Sequence, residues 1–368
     1  MVARAAFGTP RPRDAAALPR LGIVGPLVGG NPGFVTTIGD KWIPLLREAG
    51  YSLVAASHSV NRYVRLADIA ATLVRRRREI DVLWVLCYGG PSFVVEDVAT
   101  SIGSLAGIPM VVSLHGGAMP EFTARYPLWT RRVLRRAGAL VTPSRYLARC
   151  VEGLGFPVRV IPNVVDVTAY PFRRRSRVAP KLFWMRTFHP VWNPEMAVRV
   201  LARVRERLPD ATLVMAGQDK GLLDPMRRLA AELNLGDAVR FAGFLDMDGK
   251  RAAAAAADIF ISTNHVDNQP VAVIEACALG LPVVSTNVGG IPDLLTHGEN
   301  ALLVSDGDVA GMADAIVELV RRPELAERLS ENGRRLAARS AVEAVLPQWA
   351  EIFASLADRR ALVLEATS

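Results

Sequence analysis

Two carboxylates eight positions apart, Asp267 and Glu275, flank a loop and the first turns of a predicted helix. Pro270 lies between them and suits a first helical position, because the missing N–H costs nothing there. Free backbone N–H groups at a helix start attract phosphate, and one glutamate can accept hydrogen bonds from two ribose hydroxyls. The spacing therefore indicates a nucleotide site, although a helix cap at Asp267 and a solvated or paired surface acid at Glu275 would give the same pattern.

Other groups with chemical potential follow predicted strands. Gly29 and Gly30 end the first strand and let backbone N–H groups approach a diphosphate, with Asn31 as a side-chain donor. His115 begins a turn after a buried strand, Arg186 directly follows another, and Lys220 follows the next one. Three of these have an ordinary alternative: a tight turn for the glycines, a loop histidine bonded to the backbone for His115, and a surface lysine for Lys220.

These residues need elements that hold them, and the sequence predicts strands alternating with helices along its whole length. Short, continuously apolar strands alternating with helices are typical of parallel sheets covered on both faces. The stretch from Pro162 to Pro180, with three prolines and the run Arg173-Arg174-Arg175, is the best linker candidate. We therefore predict an α/β protein with two doubly wound, Rossmann-like domains facing across a cleft, where ligands bind beyond the strand carboxyl ends. The predicted parts are a disordered arm (1–19), a first domain (20–165), a second domain (166–340) and final helices (341–368).

Composition excludes several classes of protein. The 368 residues carry a net charge of +8, and only four of the 44 basic residues are lysines. No apolar run of 18 residues is present, which argues against an integral membrane protein. The three cysteines form no paired motif, so a cysteine metal site is not expected. Asp246 and Asp248 head a predicted helix instead of ending a strand, and a catalytic magnesium is not indicated.

The segment around the two carboxylates resembles the signature of family 4 glycosyltransferases (glycosyl transferases group 1), which are retaining enzymes of GT-B fold. That signature is an acid, seven residues, a glutamate and then Ala-x-Ala-x-Gly-x-Pro-Val-Val. Here the tail reads Glu275-Ala276-Cys277-Ala278-Leu279-Gly280-Leu281-Pro282-Val283-Val284, and Asp267 stands where the family usually has glutamate. Pro143-Ser144-Arg145-Tyr146 and Ile161-Pro162-Asn163-Val164-Val165-Asp166 resemble further family elements. The resemblance covers about residues 20 to 340.

The resemblance implies a retaining, metal-independent transfer of a sugar from a UDP- or GDP-linked donor to a glycan, glycolipid or other cell-envelope precursor, with no cofactor. By this resemblance Glu275 binds the ribose, Asp267 contacts the sugar, His115 orients the sugar and Arg186 clamps the diphosphate. The loop over the donor phosphates corresponds to Gly29, Gly30 and Asn31. The family's lysine about six residues beyond Arg186 is missing, and Lys220 is the expected substitute. The expected lining of the donor pocket is Asn268, Gln269, Pro270, Val271 and Ala272. The family pattern also lets the final helices cross back onto the first domain.

Partners and location follow from charge and from the same resemblance. A predicted helix near Leu128–Arg136 interleaves apolar residues with arginines, which is typical of an interfacial helix that meets anionic lipid, although a solvated helix face has the same pattern. We expect a cytoplasmic protein at the inner face of the plasma membrane, without nucleic-acid partners. Two other functions remain open: a sugar-nucleotide epimerase of GT-B fold, and a non-catalytic subunit with a degenerate donor site.

Overall fold

The computed structural model describes residues 18–31, 34 and 36–367, with side chains through residue 362. The predicted arm lies outside these residues except for Leu18 and Pro19. The chain forms two six-stranded sheets in which all neighbouring strands are parallel. The expectation of two doubly wound α/β domains is therefore confirmed.

The first sheet has the strand order β2-β1-β3-β4-β5-β6. Its strand order reverses between β1 and β3, and such a reversal opens a crevice at the carboxyl ends of the two strands. Every residue of β3 is buried, because helices cover both faces of the sheet. The strands are β1 (Leu21–Val24), β2 (Leu53–Ala56), β3 (Val82–Cys87), β4 (Met110–Leu114), β5 (Ala139–Thr142) and β6 (Arg159–Val160).

The second sheet has the order β12-β11-β10-β7-β8-β9 and reverses between β7 and β10. A second crevice is therefore expected where these two strands end. The strands are β7 (Lys181–Met185), β8 (Thr212–Ala216), β9 (Val239–Gly243), β10 (Ile259–Ser262), β11 (Val283–Thr286) and β12 (Leu302–Val304).

Helices connect and cover these strands. Those between the strands of the first sheet are α1 (Ile38–Glu48), α2 (Arg62–Arg76), α3 (Phe93–Leu105), α4 (Met119–Arg125), α5 (Pro127–Leu134) and α6 (Arg145–Glu152). Those of the second half are α7 (Pro194–Arg205), α8 (Leu223–Glu232), α9 (Met247–Ala256), α10 (Val271–Ala278), α11 (Ile291–Leu294), α12 (Val309–Arg321), α13 (Pro323–Ala338) and α14 (Val342–Thr367).

Helix α14 packs against the first sheet, although it follows the second sheet in the chain. Its Trp349 lies with its ring centroid 4.1 Å from that of Trp84 in β3, and 6.0 Å from that of Trp42 in α1. All three indoles are almost completely buried. Aromatic surface of this extent dominates the energy of a core, so α14 ties the end of the chain to the first domain.

The segment between the sheets is packed against the second domain. Arg175 is only 3% exposed, and its guanidinium donates to the carbonyls of Arg173 (2.7 Å), Ala254 (2.7 Å) and Leu279. Ala254 and Leu279 lie at the C-terminal ends of α9 and α10, where carbonyls lack helical partners and carry partial negative charge. The arginine therefore fixes the linker by binding two helix ends.

Candidate functional site

Arg186 and Asp267 meet at the crevice of the second sheet. Arg186 follows β7, Asp267 lies in the loop between β10 and α10, and Nη2 of Arg186 donates to a carboxylate oxygen of Asp267. The same carboxylate accepts from Asn264 Nδ2 and from the Asn268 backbone N–H, both at 2.8 Å. Burial raises the pKa of Asp267, and Arg186 with these two donors opposes the rise. Asp267 thus orients an arginine and does not cap α10.

The indole of Trp192 packs against the guanidinium of Arg186. The guanidinium carbon lies 4.6 Å from the centroid of this ring, within the range of a cation–π contact. Trp192 is itself fixed, because Thr263 Oγ1 lies 3.0 Å from its carbonyl and 2.8 Å from that of Asn193. An ion pair, a ring and a strand end therefore hold the guanidinium at the mouth of the crevice.

Glu275 lies in α10, is 3% exposed and is shared by two lysines. Lys250 Nζ donates to its Oε2 at 3.1 Å, and Lys41 Nζ lies 3.5 Å from its Oε1. Burial by itself would raise the pKa of Glu275, but Lys41, Lys250 and a hydrogen bond from the Tyr170 hydroxyl outweigh it and lower that pKa. Glu275 is therefore an ionised, paired acid, and not a solvated one.

The Lys41 contact crosses between the domains. Lys41 is in α1, directly after the loop that leaves β1, whereas Lys250 is in α9 of the second domain. Among the described residues, these two lysines reach the Glu275 carboxylate. Lys220 instead occupies an exposed turn after β8.

His115 directly follows β4 in the first domain, and neighbouring side chains fix its ring. Its Nε2 lies 2.9 Å from Ser113 Oγ, which accepts the indole N–H of Trp84 at 2.7 Å. Its ring packs against Tyr88, 5.7 Å between centroids. Burial lowers the pKa of His115 from 6.5 to about 4, with Asn163 opposing. The imidazole is therefore neutral near pH 7, which suits a hydrogen-bonding role.

The loop after Asp267 joins the two domains. The Asn268 side chain accepts from the Ser144 hydroxyl and donates to the His115 carbonyl at 3.2 Å. Gln269 Oε1 accepts the backbone N–H of Asn163 at 2.5 Å. A cavity of about 260 Å³ opens here, with a lining that includes His115, Asn163, Trp192, Asp267, Asn268 and Gln269. The structure therefore brings His115 to the same cavity as the loop of the second domain.

Two glycines let that loop approach the turn after β11. A Cβ on Gly289, which has φ +55°, would lie 2.2 Å from the Asp267 carbonyl oxygen, and one on Gly290 would lie 1.9 Å from that of Asn268. Both distances are impossible for real side chains. The Gly290 N–H instead donates to the Asp267 carbonyl at 2.8 Å. Glycine is thus required for the position of the loop.

The predicted residues of the loop after β1 form hydrogen bonds within the first domain. The Gly29 N–H donates to Asp40 Oδ2 at 2.8 Å, and Asn31 Nδ2 donates to the carbonyls of Val28 (3.0 Å) and His58 (3.1 Å). These hydrogen bonds therefore stabilise the loop itself. At Gly30, a Cβ would meet no other atom within 4 Å. Pro270 is the residue before α10, and Val271 and Ala272 form its first turn.

The contact residues that were not predicted include Lys41, Tyr170, Trp192, Lys250 and Asn264. Two of the chain's four lysines meet at Glu275. Because lysine is so rare in this sequence, each lysine could have been considered as a site residue. Their convergence depends on helices from different domains, which spacing does not reveal. Among the described residues, no three His, Cys, Asp or Glu side chains gather as a metal site would require.

Known proteins resemble this chain over most of its length. Residues 174–336 match the family described as "Glycosyl transferases group 1", and residues 33–164 match the "Glycosyl transferase 4-like domain". The chain is 26% identical over 344 residues to a GDP-mannose-dependent alpha-(1-6)-phosphatidylinositol monomannoside mannosyltransferase of Mycobacterium tuberculosis, covering 84% of this chain and 86% of that protein. It is also 26% identical over 263 residues to a glycogen synthase of the same organism, covering 66% of this chain but only 62% of the synthase.

The fold has close counterparts among solved structures. Anabaena HepE in complex with UDP and glucose superposes with a TM-score of 0.72 at 18% identity, over 92% of this chain and all of that one. At this identity the likeness concerns the arrangement of the two domains.

Proposed function

Since this chain belongs to the family of glycosyl transferases group 1, we propose that it transfers a sugar from a nucleoside diphosphate sugar, UDP- or GDP-linked, to a glycan, glycolipid or other cell-envelope precursor. The observation that carries the proposal is the placement of Arg186 and Asp267 at the β7/β10 crevice, opposite His115 of the first domain. Ligands of doubly wound sheets bind at this kind of crevice.

Each side chain has a role in this proposal. Glu275 accepts the ribose hydroxyls, for which an ionised carboxylate is suited. Arg186, fixed by Asp267 and Trp192, binds the diphosphate and stabilises the negative charge that develops as it leaves. His115 donates or accepts a hydrogen bond at a sugar hydroxyl, and the loop from Asn268 to Ala272 lines the donor.

The proposed reaction retains the anomeric configuration and uses no metal ion. The acceptor hydroxyl oxygen forms a bond to the anomeric carbon on the face from which the diphosphate departs. The bond between that carbon and the phosphate oxygen breaks with its electron pair on the oxygen, and the same oxygen takes the hydroxyl proton. Arg186 and the start of α10 supply positive charge to the leaving group. Closure of the domains would exclude water and limit donor hydrolysis.

The acceptor side carries a surface suited to lipid. Tyr126 is 41% and Leu128 79% exposed at the start of α5. Arg132 and Arg136 of this region both pair with Asp97, which partly neutralises their charge. Binding of this surface to a membrane would therefore depend more on insertion of apolar side chains than on charge. Among the described helices, none is long and apolar enough to cross a bilayer. We propose peripheral contact with the inner face of the plasma membrane from the cytoplasm.

Vesicle sedimentation tests this contact. Leu128→Asp should reduce binding to phosphatidylglycerol vesicles, whereas Leu105→Asp, at a position 90% exposed at the end of α3, should leave binding unchanged. Equal binding by both variants and the wild type would refute insertion at α5.

The donor site is tested by calorimetric titration with UDP and GDP. Glu275→Ala should abolish measurable binding and transfer, whereas Glu232→Ala, at an exposed position in α8, should retain both. Unchanged binding in Glu275→Ala would show that the site is misplaced.

One second candidate is a non-catalytic subunit whose donor site is degenerate, since Asp267 stands where the family usually has glutamate and the family's lysine is missing. Absence of binding to either nucleotide in the wild type would support this candidate. Conversion of a sugar nucleotide without any acceptor would instead indicate the epimerase activity.

A further inference from the structure

Among the described residues, Glu275 is paired with two lysines, one from each domain. Arg186 pairs with Asp267, and both Lys41 and Lys250 share Glu275. Two lysines thus share one carboxylate in a partly desolvated place, where a positive charge without its own counter-ion is costly. A bound anion would balance the second lysine.

Lys41 is the cation with freedom to change partners. Its contact with Glu275 is the longer one, 3.5 Å against 3.1 Å for Lys250, and it comes from the opposite domain. Burial lowers the pKa of Lys41, Glu275 opposes this, and Lys250 adds to the lowering by repulsion. The ammonium group sits on a flexible four-carbon chain with three donors, so it can turn toward a second acceptor.

The backbone that carries Lys41 is rigid. Thr37 and Asp40 form a capping box at the start of α1, and Asp40 also accepts the Gly29 N–H. The next residue, Trp42, is 1% exposed and packs on Trp84 and Trp349. Lys41 therefore projects from a fixed helix start, beside the glycine-containing loop of the β1/β3 crevice, toward the second domain.

We propose that Lys41 is a donor-phosphate ligand that exchanges Glu275 for the diphosphate when ribose hydroxyls occupy the Glu275 carboxylate. This inference rests on the proposed function, since it places the donor's ribose at Glu275. It gives the first domain a direct contact with the leaving group, so that donor binding draws α1 toward the second domain. Lys250 stays with Glu275 and keeps that carboxylate ionised.

Calorimetry with two classes of ligand tests the exchange. Lys41→Met should weaken binding of UDP or GDP, whichever the wild type binds, by about tenfold or more, because a charge-assisted contact to phosphate is lost. The corresponding nucleoside, uridine or guanosine, should bind with unchanged or higher affinity, because one competitor for Glu275 is gone. Lys41→Arg should retain most of the diphosphate affinity, and Lys181→Met, at an exposed position at the start of β7, should match the wild type.

The outcomes separate this inference from the proposed function. Wild type that binds neither diphosphate would overturn both. Diphosphate binding that Lys41→Met leaves unchanged or strengthens would overturn the exchange alone, as would equal weakening of nucleoside and diphosphate. Thermal melting of Lys41→Met and Lys41→Arg establishes that each variant is folded before titration.

Discussion

The guanidinium of Arg186 lies 4.6 Å from the ring centroid of Trp192 while one of its nitrogens bonds Asp267. The ring and the carboxylate restrain the same group from two directions, so the arginine is preorganised for an anion. Preorganisation matters because it removes ordering cost from the binding step.

We expect Trp192→Ala to weaken nucleoside diphosphate binding by roughly 3- to 30-fold, since a cation–π contact is worth about 0.5–2 kcal/mol. Trp192→Phe retains a ring and should lose less. Calorimetric affinities for UDP and GDP check this, and identical affinities for the alanine variant and the wild type would show that the ring does not position Arg186.

Glu96 should make the protein less stable as the pH rises. It is 2% exposed, its Oε1 accepts the Tyr88 N–H at 3.0 Å, and its Oε2 has no hydrogen-bond partner among the described residues. Burial raises the pKa of Glu96 from 4.5 to about 8. The folded protein thus keeps a proton that the unfolded chain releases near pH 4.5. The resulting stability is full below that pH and declines up to about pH 8.

Urea unfolding at pH 6.5 and 8 measures this decline. The wild type should lose about 1.5 kcal/mol across the interval, from roughly 1.4 kcal/mol per pH unit for one proton. Glu96→Gln, which cannot ionise, should lose clearly less. Parallel losses in both proteins would contradict the assignment of the proton to Glu96.

Removal of the buried arginine in the linker should be costly. Burial lowers the pKa of Arg175 to about 10, so the group remains charged near pH 7. Arg175→Leu would leave the carbonyls at the ends of α9 and α10 without this hydrogen-bond donor. We expect the unfolding free energy to fall by about 3 kcal/mol or more. Arg174→Ala is the matched control, because its exposed ion pairs with Glu327 and Glu331 are worth under about 1 kcal/mol. Similar losses for the two variants in urea melts would refute the role of Arg175.

The docking of α14 should depend on Trp349. Trp349→Ala removes a 2% exposed indole from between Trp42, Trp84 and Phe353, and large-to-alanine changes in cores cost about 3–5 kcal/mol. Limited proteolysis should then release the end of the chain faster than in wild type. Leu362→Ala, at a position 66% exposed in the same helix, should change neither stability nor cleavage, and slow cleavage of both variants would show that α14 is held elsewhere.

Much of the fold was predictable because buried parallel strands are continuous apolar runs. The predicted alternation of short apolar strands with helices holds along both sheets, and both parallel sheets are confirmed. Helix α4 has only seven residues, which are too few for a helical period to stand out in the sequence. The positions of Arg186 and Asp267 near strand ends were equally readable, since a strand end is a local feature.

The sequence by itself determined the strand–helix alternation, the two carboxylates with their spacing, and the surplus of basic residues. The tertiary structure decided which of those basic residues act together. Lys41 and Lys250 are 209 positions apart, and neither spacing nor composition relates them to Glu275. Only the packing of α1 against the second domain brings them to one carboxylate, because such contacts depend on how two separately folded sheets face each other. The same packing leaves Lys220, the lysine predicted from its strand end, on an exposed turn.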